Sequence, residues 1–108
     1  DVIYVPTDNT VASNTEAIDS ICRPAGIPVI TGEEGICSGC GIATLSISYY
    51  GIGEKTGKMA ADILLGRADI STMAIAYDEG AVYKYNEEIC TALGITVPEK
   101  YVKIEKAE

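Results

Sequence analysis

Residues 2–10 read VIYVPTDNT. Val2-Ile3-Tyr4-Val5 is a run of β-branched and aromatic side chains, the composition of a buried strand. Pro6 ends it, because its ring fixes φ and removes an N–H. Thr7, Asp8, Asn9 and Thr10 then follow, a row of small polar side chains. Such side chains accept hydrogen bonds from the free N–H groups that open a helix, so strand–turn–helix is the plainest reading. Val11, Ala12, Thr15, Ile18 and Cys22 recur at helical spacing, which predicts a helix over 11–22. Capping takes one or two of the polar residues and leaves the others over. In open α/β sheets, ligands bind beyond the carboxyl ends of strands, where such turns lie.

The next segment repeats the pattern. Arg23-Pro24-Ala25-Gly26 is a helix stop, with Gly26 just past the end. Ile27-Pro28-Val29-Ile30 reads as a second strand. A helix between two strands makes them parallel neighbours with a right-handed crossover. This strand also ends in a polar turn, Thr31-Gly32-Glu33-Glu34-Gly35. Parallel strands put both turns at one sheet edge, where Asp8, Glu33 and Glu34 converge. Either turn by itself reads as solvated surface; their coincidence points to a site.

Further on, the glycine-rich stretch 35–41 reads as a loop and 43–49 as a strand with alternating faces. Gly51-Ile52-Gly53 reads as a break. A helix is expected over 54–65, with Thr56, Met59, Ala60, Ile63 and Leu64 on one side and Gly66 closing it. The glycines near Lys55 and Lys58 lack the spacing of a phosphate-binding loop. After a polar connection, 73–77 reads as a strand, 78–80 as a turn and 81–85 as a strand, paired as a hairpin or separately. Asn86 caps a helix over 87–93 that Gly94 ends, and a short apolar run and a charged tail follow.

Composition narrows the function. The chain has 108 residues, 47% of them apolar, enough for one small core. Its net charge of −8 disfavours nucleic acid, whose phosphates call for clustered Lys and Arg. Histidine is absent, which removes histidine bases, Cys-His pairs and histidine metal sites. No apolar run reaches the length of a membrane span and no signal peptide is visible. The first residues already read as core strand, as in a fragment cut from a longer protein.

Four cysteines occur, and Cys37-Ser38-Gly39-Cys40 has C-x-x-C spacing. With no second pair and no histidine, zinc is disfavoured. The plainest reading is a loop with incidental cysteines, open to a local disulfide; a redox pair is the sharper alternative. Cys22 and Cys90 fall on apolar helix faces and behave as small hydrophobes.

Taken together, VIYVPTDNTV, IPVITGEEG, GIATLSISYYGIGEKTGKMAADILLG and ALGITVPE resemble the carboxyl-terminal third of a family. It is the ABC-transporter substrate-binding proteins of the tryptophan/tyrosine-transport type. The resemblance runs through essentially the whole chain; the cysteines of ICSGCG and the SIC-RPAG helix end depart from it. It implies an α/β fold, a three-layer Rossmann-like parallel sheet with flanking helices, within a two-lobed type I periplasmic-binding-protein architecture. Residues 1–45 and 81–108 would form the second lobe, and 46–80 the hinge plus a first-lobe segment. The implied ligand-binding residues are Thr7, Asp8, Asn9, Thr10, Glu33, Glu34, Ser46 and Ser48, with Asp8 pairing with an amino acid's ammonium. A ligand carboxylate would go to residues outside this chain.

The same resemblance implies no cofactor, no metal and no catalysis. It implies a small amino-acid-like solute, an ABC permease as membrane partner, and an extracytoplasmic location, periplasmic or lipoprotein-anchored. Taken alone, the fragment is open to dimerising or exchanging segments. Two alternatives stand beside the importer reading: the effector domain of a solute-sensing regulator, and a thiol–disulfide enzyme using Cys37 and Cys40.

Overall fold

In the computed structural model, which describes residues 1–105, ten elements follow one another along the chain. They are β1 (Ile3–Val5), α1 (Asn9–Ala12), α2 (Thr15–Cys22), β2 (Val29–Thr31), α3 (Glu34–Cys40), β3 (Ala43–Ser46), α4 (Tyr49–Leu64), β4 (Val82–Tyr85), α5 (Glu87–Ala92) and β5 (Val102–Lys103). The chain divides into two compact units. One comprises Asp1–Ser46 and the chain from Val82 onward; the other is Ile47–Ala81.

The first unit holds all five strands in the order β1-β2-β3-β4-β5. β1, β2 and β3 are parallel, as the strand–helix–strand pattern requires. β4 runs antiparallel to β3, and β5 runs parallel to β4. The sheet is therefore parallel-dominant but mixed. Beneath it lies a core of Val5, Cys22, Val29, Ile36 and Cys40, joined by Val11, Ile18 and Ile27. Residues paired in register share a sheet face, so Tyr4, Ile30, Ala43 and Tyr85 lie together, with Leu45 and Tyr83 beside them. That second face is left partly open, Tyr4 being 66% exposed and Leu45 49%.

Several expectations are corrected. The helix expected over 11–22 is two helices, α1 and α2, separated at Ser13 and Asn14. Ser13 Oγ donates to the Asn9 carbonyl at 3.0 Å and Asn14 Nδ2 to the Thr10 carbonyl at 2.7 Å. Both side chains thus compete for the last carbonyls of α1, and Asn14 leaves helical geometry at φ −135°. The glycine-rich stretch expected as a loop is the helix α3. Each glycine in a helix costs about 1 kcal/mol, but burying Ile36, Cys37 and Cys40 outweighs that. Gly39 has a packing reason: a Cβ there would lie 2.5 Å from Thr15 Cβ, so α2 and α3 meet closely only because it is absent.

The second unit is built on α4, which starts at Tyr49 and runs through the expected break at Gly51 and Gly53. Ser48 supplies the start signal: its Oγ accepts from Gly51 N at 3.0 Å. Ile52, Lys55, Met59 and Ile63 form the half-buried stripe, whereas Thr56, Ala60 and Leu64, expected on the same side as Met59 and Ile63, are exposed. The stretch 73–77 is irregular rather than a strand, so β4 forms no hairpin with it. Lys55 Nζ binds it down through the Tyr77 carbonyl at 2.9 Å and Glu79 at 3.0 Å. No residue of 47–81 is fully buried, so this unit has no closed core of its own.

Other local signals are reproduced. Gly26, Gly66 and Gly94 take φ near +68°, the left-handed geometry that follows a helix end. Asn86 caps α5 through Oδ1, which accepts from Ile89 N at 3.3 Å. Its Nδ2 also donates to the Cys37 and Ser38 carbonyls at 3.2 and 3.0 Å, tying α5 to α3. β5 lies in what reads as a charged tail. Among the described residues, no helix is long and apolar enough to cross a membrane.

Candidate functional site

The parallel direction of β1, β2 and β3 brings their carboxyl ends to one edge, with Val5 opposite Thr31 and Thr31 opposite Thr44. Gly32 N donates to the Val5 carbonyl at 2.8 Å, so the ends of β1 and β2 are pinned together. The two polar turns are in direct contact there. A Cβ on Gly32 would fall 2.8 Å from Thr7 N and 2.9 Å from Thr7 Oγ1. Only glycine allows this approach, and it makes one rim of the segments around Thr7–Thr10 and Thr31–Gly35.

Each sequence-predicted residue has a defined place. Asp8 is exposed and caps α1, Oδ1 accepting from Val11 N at 2.9 Å. Asn9 and Thr10 open α1 and are also exposed. Glu33 is turned back on its own chain: its two carboxylate oxygens accept from Gly35 N and Ile36 N, capping α3. Both of its oxygens are thus engaged as a cap. Glu34 stands in the first turn of α3 and points to β4, where Lys84 Nζ lies 2.6 Å from Oε2. Ser46 Oγ donates to the same oxygen at 3.3 Å. Glu34 therefore is not a bare carboxylate awaiting a cation; one is already there.

Ser48 belongs to the second unit. It caps α4 with its hydroxyl, and its N–H donates to Asp78 Oδ2 at 2.7 Å. Backbone hydrogen bonds from Ser48 and then Gly80 hold the Asp78 carboxyl below its usual range. In the first unit, then, Thr7, Asp8, Glu33, Glu34 and Ser46 share the carboxyl edge of the sheet.

Two residues escaped the sequence reading. Lys84 falls on the inward face of a short alternating strand otherwise carrying Val and Tyr, and that face is the one signal it offered. Its partner lies fifty residues upstream, across an antiparallel pairing that periodicity does not reveal. Thr44 is 2% exposed, directly opposite both Thr31 and Lys84, and its Oγ1 has no hydrogen-bond partner.

The cysteines are not built for redox work. All four are free and buried, so the local disulfide left open for Cys37 and Cys40 is not formed. Burial pushes the Cys37 thiol up to about 12 and the Cys40 thiol to about 11. An attacking thiol must ionise, and these stay protonated at neutral pH. Among the described residues, no group of three or more His, Cys, Asp or Glu is placed to hold a metal.

The raised thiol has a measurable consequence. An unfolded thiol ionises near pH 9.0 and the folded Cys37 only near 12. Its stabilising effect is complete below pH 9 and is lost as pH rises towards 12, by about 1.4 kcal/mol per pH unit. Cys40 is raised in the same sense, so urea unfolding at pH 10.5 against pH 9 should show a loss of which Cys37→Ala removes only the Cys37 share, about 2 kcal/mol.

Known proteins are similar to this chain in sequence and fold. The chain is 33% identical over 93 residues to a tyrosine-binding protein of Clostridioides difficile, covering 86% of this chain and 27% of that protein. Among solved structures, a ligand-free, open substrate binding protein with adhesive properties from Clostridium difficile matches at 39% identity and TM-score 0.73. That match covers 96% of this chain and 36% of the other. A conserved domain protein from Vibrio cholerae matches at 32% identity and TM-score 0.78, over 95% and 36%. An ABC domain from Streptococcus pneumonia in complex with L-Trp matches at 30% and 0.76, over 92% and 33%. The chain thus spans about a third of these relatives' length. The model of the ABC transporter substrate binding protein family matches residues 1–107, so the chain belongs to that family.

Proposed function

We propose that this chain is part of the extracytoplasmic solute receptor of an ABC importer, which holds a small amino acid in a cleft. The unit made of Asp1–Ser46 and the chain from Val82 onward corresponds to one lobe. The Ile47–Ala81 unit supplies hinge crossings and a segment of the other. The carrying observation is the rim where Thr7 meets Gly32 at the carboxyl ends of parallel strands, in a chain of this family. Asp8 takes the ligand's ammonium by a charge-assisted hydrogen bond while still capping α1. Thr7, Asn9 and Thr10 line its side of the rim, Glu34 and Ser46 the far side, and Ser48 the hinge. Relatives described as tyrosine-binding and as a complex with L-Trp support an aromatic amino acid as ligand. The receptor, periplasmic or lipoprotein-anchored, delivers its ligand to a membrane permease.

The test is isothermal calorimetry on the longest natural chain carrying these residues, titrated with L-tyrosine, L-tryptophan and the other amino acids. One-to-one binding of an aromatic amino acid is expected. No heat from any amino acid would reject the receptor reading.

A further inference from the structure

The ion pair at the far side of the rim joins α3 to β4. β4 enters the edge against the direction of β1, β2 and β3. It thereby places Lys84 in one row with Thr31 and Thr44 on the face beneath α3. Its ammonium sits 2.6 Å from Glu34 Oε2, and Ser46 Oγ approaches the same oxygen at 3.3 Å. This is the geometry that a ligand's ammonium would adopt on Glu34. In the same row, Thr44 Oγ1 is buried without a partner. An unpaired buried hydroxyl is costly, and this one lies beside the ion pair in the same row.

We propose that Lys84 fills a cation seat formed by Glu34 and Ser46, and so makes this end of the site reject ligands that carry a second positive charge. The inference rests on the receptor reading given above and names the class of solute. Glu34 and Lys84 cancel each other's charge, whereas Asp8 keeps its own for the α-ammonium. A lysine or arginine side chain reaching the far end meets an ammonium where it needs a carboxylate. An uncharged side chain meets no such opposition. The favoured solutes are therefore amino acids with uncharged side chains.

The experiment compares wild type with Lys84→Met in the longest natural chain, titrated calorimetrically with L-tyrosine and L-lysine. Lys84→Gln is the second variant should Lys84→Met not fold. A parallel arm adds propylammonium to Lys84→Ala and to Lys84→Ala/Glu34→Gln and reads the melting temperature. We expect L-lysine to bind the Lys84 variant at least about tenfold more tightly than wild type, one charge-assisted hydrogen bond's worth, with tyrosine affinity changed far less. Propylammonium should raise the melting temperature of Lys84→Ala and not that of the double variant. Tyrosine binding by wild type beside an unchanged lysine affinity in the variant overturns this inference alone. Failure of wild type to bind any amino acid overturns the receptor reading and the selectivity with it. In that case the propylammonium arm still decides the seat, and an unmoved melting temperature refutes it.

Discussion

Asp8→Asn should weaken amino-acid binding by the full-length protein roughly 10- to 100-fold and leave its melting temperature nearly unchanged. A hydrogen bond to a charged partner contributes about 1.5–3 kcal/mol, which converts to that range of affinity. Stability should hold because asparagine caps a helix about as well as aspartate. The Val11 N–H, now accepted by Asp8 at 2.9 Å, keeps a side-chain oxygen. Asp8→Ala should lose affinity to a similar degree and about 1 kcal/mol of stability besides, since alanine offers no acceptor. The pair of variants separates the two roles of one carboxylate. Calorimetric titration with L-tyrosine and a thermal melt of each variant suffice. If Asp8→Asn binds as wild type does, Asp8 is a cap and nothing more.

Gly39→Ala should destabilise the protein by about 3 kcal/mol or more, at the upper end of what overpacking usually costs. An added Cβ would fall 2.2 Å from Thr15 Oγ1 and 2.5 Å from Thr15 Cβ. Thr15 is the first residue of α2, and its Cβ cannot swing away as the end of a long side chain would. Relief requires α2 and α3 to separate. That in turn opens the contact of Ile36 and Cys40 with Cys22 in the core. Urea denaturation measures the loss, and Thr15→Gly in the same chain should recover part of it, because the two sites share one clash. Gly53→Ala is the control. It lies in α4 with nothing within 4 Å of the added Cβ, so it should gain up to about 1 kcal/mol. A Gly39→Ala protein as stable as wild type would refute the close-contact account of the C-x-x-C segment.

That segment also shows how far local reading reaches. Glu33-Glu34-Gly35 looks like a solvated turn because two acidic residues and a glycine are ordinary turn chemistry. In the fold, Glu33 is a helix cap and Glu34 half of an ion pair. The helix they open contains two glycines and two cysteines, a sequence of low intrinsic propensity. It forms because Ile36, Cys37 and Cys40 are nearly or wholly buried there, a gain that no window of neighbouring residues displays. The stretch 73–77 shows the converse. Its apolar run satisfies a strand pattern, yet it is irregular, and it is held by Lys55 through a backbone carbonyl.

The residues themselves determined the β1–α–β2 start, its parallel pairing, the polar turns at one edge and the helix ends at Gly26, Gly66 and Gly94. Those features depend on φ preferences, capping chemistry and the alternation of side chains along a strand, which act over a few residues. Only the tertiary structure decided that β4 runs antiparallel and that Lys84 reaches Glu34. It alone left the Thr44 hydroxyl buried without a partner and made a packed helix of the cysteine segment. Each of these joins groups far apart in the chain, and their energy is realised only when the backbone has already brought the sheet edge and α3 together.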